Sequence, residues 1–250
     1  MNIGLYQSAS ALSALERWQE SVAHNITSGE TNGFRKRTVN FTTTTAGQLQ
    51  TDPRARAGSS DTTFETLFPK VNTGINFGAG QTQPTKRDLD FAIQGEGFFE
   101  VQMPDGTRAY TRNGEFRMRN DRTIVASSGA TLLTDAGAPI TLLPDGGSMV
   151  VNRDGTIFQG DVSLGRLSVQ KFANPAALVP TAGGYFIAPA GVAPEPVQQP
   201  DLMQGYLEGS NVTPLREMVD LVLISRAYEA NQKIITAIDQ QMDKTIQALG

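Results

Sequence analysis

Cysteine is absent from all 250 residues, which excludes disulfides, thiolate catalysis and Cys-ligated zinc. Histidine occurs once, as His24, so triad chemistry would have to pass through that one ring. Neither a nucleophile elbow nor a paired-carboxylate pattern marks the serines and acids, and no enzyme, cofactor or small-molecule substrate is expected. No unbroken apolar run exceeds four residues, far short of a bilayer-spanning helix. No basic n-region precedes Arg17, so a cleaved secretory signal is not expected. Basic residues do not dominate either: 21 Lys and Arg against 25 Asp and Glu leave a net charge of −4. That is a poor footprint for nucleic acid.

Proline is missing before Pro53 and again between Pro214 and Gly250. Both stretches carry apolar residues at helical spacing. In the first these are Leu5, Leu12, Leu15, Trp18, Val22 and Ile26, with Gly29 placed as a helix-ending cap. In the second, Thr213 is a candidate cap, Pro214 suits the first helical position, and Glu217 favours the positive end of the dipole. Leu221, Tyr228, Ile235, Met242 and Leu249 then recur every seven residues, with Ile224, Asn231, Ile238 and Thr245 at the second seam position. A helix this long would reach about 54 Å. Asn231 on that seam either fixes register as a buried amide or turns partly to solvent.

Between the ends the pattern changes to period two. Short apolar runs alternate with Asp105-Gly106, Asn113-Gly114, Asp145-Gly146 and Asp154-Gly155, which predict hairpins with both turn residues at positive φ. Gly95-Glu96-Gly97 lacks the third glycine of a dinucleotide loop and runs on into strand, so it reads as a bulge or close packing. The expected fold is α+β. Paired, coiled-coil-like terminal helices form a discontinuous domain from 1–40 and 205–250. Residues 41–80 form an extended or flexible connector, and 81–204 a mostly antiparallel all-β domain.

The segment "HNITSGETNGFRKR", 24–37, reads as the turn that ends the first helix, with Gly29 and Gly33 taking backbone that other residues resist. Its basic run Arg35, Lys36, Arg37 reads as a solvated face, or as partners for helix carbonyls or acidic neighbours. Replacing all three with Gln is accordingly expected to be milder than Gly33→Val.

Residues 25–37 resemble the N-terminal signature of the flagellar axial proteins, the rod and hook family. Asn25, Ile26, Thr31, Gly33, Phe34 and Arg35 match it, while Thr27 and Ser28 replace the usual Ala and Asn. "GYLEGSNVTPLREMVDLVLISRAYEANQK", 205–233, is similar to the family's C-terminal pattern, including Glu208, Ser210, Asn211, Val212, Glu217, Arg226 and Asn231, with Ser225 departing from the common Gln. "AIQGEGFFEV" and "YTRNGEF" resemble its β-domain motifs. The resemblance implies a basal-body rod subunit, closer to proximal than to distal rod proteins; apart from it, the same helices and strands would also suit a β-domain binding module that dimerises through a simple coiled coil. The resemblance also implies self-assembly with other axial proteins, export through the flagellar type III apparatus, and a place in the periplasmic rod. The expected assembly interface is Leu12, Leu15, Trp18, Val22, Ile26, Leu221, Ile224, Tyr228, Asn231, Ile235, Ile238, Met242 and Leu249. Phe34 is expected to anchor the returning chain against the helix pair.

Overall fold

The structure, a computed structural model, describes residues 3–50, 63–144 and 146–249. It is α+β and divides into two compact units, each discontinuous in sequence. One is drawn from Met1–Ile26, Arg37–Gly74 and Pro214–Gly250, the other from Thr27–Lys36 and Ile75–Thr213.

The first unit holds the two α-helices of the described residues, α1 (Ile3–Thr27) and α2 (Pro214–Leu249). Proline occupies the first position of α2, where its missing N–H costs nothing. Leu15 and Val22 of α1 cluster with Ile224 of α2, and Trp18, Ile26, Leu221, Ala227 and Tyr228 pack around them. The same unit contains two long strands, β1 (Arg37–Gln50) and β2 (Thr63–Ile75), which pair with each other. The expected connector is therefore strand on both sides of residues 51–62, which lie outside the described residues. Thr38, Val39, Thr42, Thr43 and Thr44 supply β-branched side chains that suit a pleated ladder better than a coil. Thr42 Oγ1 donates to the Lys70 carbonyl at 3.3 Å, and a Cβ on Gly74 would lie 3.1 Å from Thr38 Oγ1. Trp18 stacks edge-on against Phe41 of β1 at 5.4 Å.

The second unit is built from short antiparallel strands. Its main sheet orders Val179–Thr181, Tyr185–Ile187, Arg108–Thr111, Phe98–Gln102, Thr131–Leu132, Ile124–Ala126 and Phe116–Met118, with Val169–Lys171 also pairing with Phe98–Gln102. Phe91, Phe99, Phe116, Ile124, Leu132, Ile157 and Leu202 are fully buried in one core. Phe98, Tyr110, Phe172, Leu178 and Phe186 make a second, aromatic one.

The glycine dipeptides divide by role. Gly106 and Gly155 sit at positive φ (86° and 87°) in turns where Asp105 and Asp154 accept from the N–H two residues on. Only the glycine of each pair takes positive φ, because the aspartate carboxylate replaces the second left-handed residue. Asn113-Gly114 is not a hairpin tip. A Cβ on Gly114 would stand 1.7 Å from the Phe91 carbonyl oxygen, so the glycine is there for backbone contact. Asp145 lies outside the described residues. Gly97 (φ 128°) faces Val169 closely, as its close-packing reading requires.

Candidate assembly site

The helix seam follows from where apolar residues fall along α2. Ile224 is buried, and Leu221, Tyr228, Asn231, Ile235 and Ile238 are half-buried on its side of the helix. On α1, Leu15 and Val22 are buried, and Leu12, Trp18 and Ile26 half-buried. Met242 is exposed, and the Leu249 side chain lies outside the described residues. Asn231 donates to the Ala227 carbonyl of its own helix at 3.0 Å, so its amide is engaged within α2.

The start of this helical pair is fixed by Asn25. Its Oδ1 accepts from Arg37 N–H at 2.8 Å, and its Nδ2 donates to the Arg37 carbonyl and to Glu217 Oε2, both at 2.9 Å. One buried amide thereby ties the end of α1 to the first residue of β1 and to the first turn of α2. Asn32, the other side-chain amide of the Asn25-to-Arg37 stretch, donates instead to Glu115 Oε2 at 3.3 Å. Glu217 is a buried partner of Asn25 as well as a favourable charge at the helix start. Burial holds the nearby His24 below the usual histidine range, and Arg37 adds to this.

Within the second unit, Glu208 is the hub. It binds Arg35 Nη1 at 2.8 Å, Arg112 Nη1 at 3.2 Å and the Gly80 N–H at 2.8 Å. Arg112 also donates to the Ile93 and Gly95 carbonyls and lies over the Phe98 ring. All three charged side chains are buried, at 3% (Arg35), 5% (Arg112) and 2% (Glu208) exposure. Burial pushes the Arg112 guanidinium down to about 10, the pull of Glu208 opposing and the repulsion of Arg35 adding. Two cations meet one anion, and Nε and Nη2 of Arg35 have no hydrogen-bond partner among the described residues. Arg35 is thus no part of a solvated face. The basic run hid this because its acidic partner lies 173 residues away.

Asn211 makes a third tie. Its Oδ1 accepts from Lys36 N–H at 2.6 Å, and its Nδ2 donates to the Asn76 and Gly78 carbonyls, each at 2.8 Å. Ser210 Oγ accepts from Val212 N–H, and Val212 is buried. Phe34 is buried, and its carbonyl accepts from Asn211 N–H. Gly33, at φ 69°, leaves no room for a Cβ, which would lie 2.3 Å from the backbone of Arg112 and Asn113. Gly29 takes no positive φ; the chain turns instead through Thr31 N–H to the Ser28 carbonyl. Arg226 is exposed on α2. Among the described residues no group of three or more His, Cys, Asp or Glu is placed to hold a metal, and no helix is long and apolar enough to cross a membrane.

Residues 92–159 match the family model described as the flagellar hook protein FlgE/F/G D1 domain, and residues 203–248 the one described as the flagellar basal body rod FlgEFG protein C-terminal. Over 252 residues the chain is 32% identical to the flagellar basal-body rod protein FlgF of Caulobacter vibrioides, spanning 100% of this chain and 99% of that protein. The chain belongs to the flagellar basal-body rod protein family. It is also 30% identical over 257 residues to the rod protein FlgG of Borreliella burgdorferi, spanning 95% of each, and 31% over 253 to FlgF of Mesorhizobium japonicum, spanning 100% and 99%. The two family segments are joined physically, since Arg112 lies in the first and Glu208 in the second. Asn25, Gly33 and Arg35 lie outside both and bond to, or pack on, residues inside them. Sequence reading named Glu208 only as a motif match, and Arg35 as a motif match and as part of a basic run facing solvent, helix carbonyls or acidic neighbours. Arg112 carried a usable signal, an arginine between two apolar strand segments.

Proposed function

We propose that the chain is a structural subunit of the bacterial flagellar basal-body rod, non-enzymatic, and FlgF-like in position. The observation that carries this is the end-to-end match to FlgF, 32% identical over 100% of this chain and 99% of that relative. A FlgG-like, distal position is the second reading, favoured by the 30% match to FlgG over 95% of each chain.

In this reading α1 and α2 act as a coiled-coil-like pair that lines an inner tube. The terminal domain comprises 1–40 and 205–250, the strands of 41–80 connect, and 81–204 forms an outer layer. The seam from Leu12 to Ile26 and from Leu221 through Ile238 to Met242 and Leu249 is the surface that neighbouring copies complete. Copies stack helically with one another and with other axial proteins, and the shaft they build transmits torque. The subunit reaches a periplasmic rod through the flagellar type III apparatus. The Asn25 node braces the helical unit where α1 ends and α2 begins, and the Glu208 and Asn211 nodes brace the β-rich unit, as parts that bear torque require.

Electron microscopy of basal bodies purified from wild-type and deletion strains, with gold-labelled antibody against 81–204, tests this. Label at the inner-membrane end of the rod, and truncated rods in the deletion strain, are expected. Label at the hook end would favour the FlgG-like position, and intact rods without the protein would contradict the proposal.

A further inference from the structure

Eight of the fifteen large apolar side chains that stand exposed among the described residues lie on one helix, α2. Five of them, Leu215, Met218, Val219, Val222 and Leu223, crowd its first three turns, each half or more exposed. Leu215, Met218, Val219 and Val222 fall at i, i+3, i+4 and i+7, a single face. Val222 and the buried Ile224 are two residues apart, so this face points about 200° away from the seam. Arg226, a family-motif residue with no ion pair among the described residues, continues the same face one turn beyond Val222, and Arg216 flanks it.

The other end of α2 has a complementary feature. Counted from the Asn25–Glu217 hydrogen bond, α1 runs 22 residues back to Ile3 and α2 runs 32 residues on to Leu249. The difference leaves about 15 Å of α2 without α1 beside it. Ile246 lies there, 66% exposed, three turns beyond Ile235 on the seam face. Asp239 and Asp243, seven and three residues before Ile246, border that face and are exposed, whereas Lys244 lies on the far side.

We infer that the outer face of the first three turns of α2 is a second interface, and that its occupant is the C-terminal end of α2 of another copy of this chain. Apolar face meets apolar face, and Arg216 and Arg226 meet Asp239 and Asp243. The two patches sit at opposite ends and on opposite sides of one helix. Such a contact is head-to-tail, and a head-to-tail contact passes from copy to copy into a ring or a helical array instead of closing as a two-fold dimer. The inference rests on the rod-subunit reading and adds to it one surface off the seam, the outer face of the first three turns, which takes the C-terminal end of a neighbour's seam.

The absence of cysteine makes the test clean. A Val219→Cys/Ile246→Cys chain carries its two thiols about 40 Å apart along one helix. A disulfide needs Cα atoms within about 7 Å, so any disulfide formed is between copies. Basal bodies are purified from cells producing the double variant, oxidised, and run without reductant. A ladder of covalent dimers and higher multimers is expected from the double variant, and monomer alone from each single variant. A charge-reversed Arg216→Asp/Arg226→Asp chain should lose motility and regain it when Asp239→Arg/Asp243→Arg is added. Protein present in rods but monomeric after oxidation, or single variants that dimerise as readily as the double, would overturn the second interface alone. Absence of every variant and of wild type from rods would overturn the rod reading with it.

Discussion

Glycine 33 and glutamate 208 show how single side chains set this fold. Gly33 combines a left-handed backbone with a Cβ direction already occupied by Arg112 and Asn113. Gly33→Val therefore adds strain of about 1–3 kcal/mol to a backbone clash. It is expected to lower the urea midpoint of the second unit and to block incorporation into rods; a wild-type midpoint would contradict the close packing. The Arg35–Glu208–Arg112 cluster holds one surplus cation, so its members are not equivalent. Glu208→Gln strands two buried guanidinium groups and is expected to cost about 3–5 kcal/mol. Arg35→Met leaves Glu208 with Arg112 and the Gly80 N–H, and is expected to cost about 1.5–3 kcal/mol, the worth of one charged hydrogen bond. Urea unfolding of both variants, followed by circular dichroism, checks the ranking, and equal losses would contradict the charge count. For the same reason the triple Gln replacement of Arg35, Lys36 and Arg37 is not silent, as a solvated face would have made it.

At the scale of elements, the helices were legible and the long strands were not. Apolar spacing, Pro214 and the proline-free run predicted both α1 and α2, because a 3.6-residue period and a proline at the first helical position are local signals. β1 and β2 were hidden: their threonine-rich sequence lacks period-two alternation, and their stability comes from pairing with each other and from Trp18 on Phe41. Asn113-Gly114 was misread for a related reason. A glycine required by close approach of a distant carbonyl looks, in sequence, like one required by a turn. The ties of Asn25 to Glu217 and of Arg35 to Glu208 span 192 and 173 residues, beyond any local pattern. The seam itself gives a prediction. Ile235 is half-buried on the Ile224 side of α2. Ile235→Asp puts a charge into that packing, at a cost of several kcal/mol once a neighbour closes over it. Cells carrying it are expected to export the chain yet build incomplete rods, while the β-rich unit keeps its thermal midpoint. Normal rods and motility would show that Ile235 faces no partner helix.

On the scale of the whole molecule, the two units differ in how much each supports itself. The β-rich unit has two aromatic-lined cores of its own. The helical unit buries Ile224 but leaves most of α2 exposed, so ordering its long helices carries an entropic cost that few contacts offset in a lone chain. Hydrogen exchange of the dilute monomer is expected to be fast over 3–27 and 214–249 and slow over 91–132, and strong protection of both helices in a proven monomer would argue against ordering coupled to assembly. The most direct test of the central claim is cryo-electron microscopy of purified basal bodies at a resolution that traces helices. The account predicts density for this chain in the rod, with α1 and α2 of successive copies at the channel wall and the β-rich unit outside them. A rod that lacks this chain, or one in which its helices face away from the channel, would contradict it.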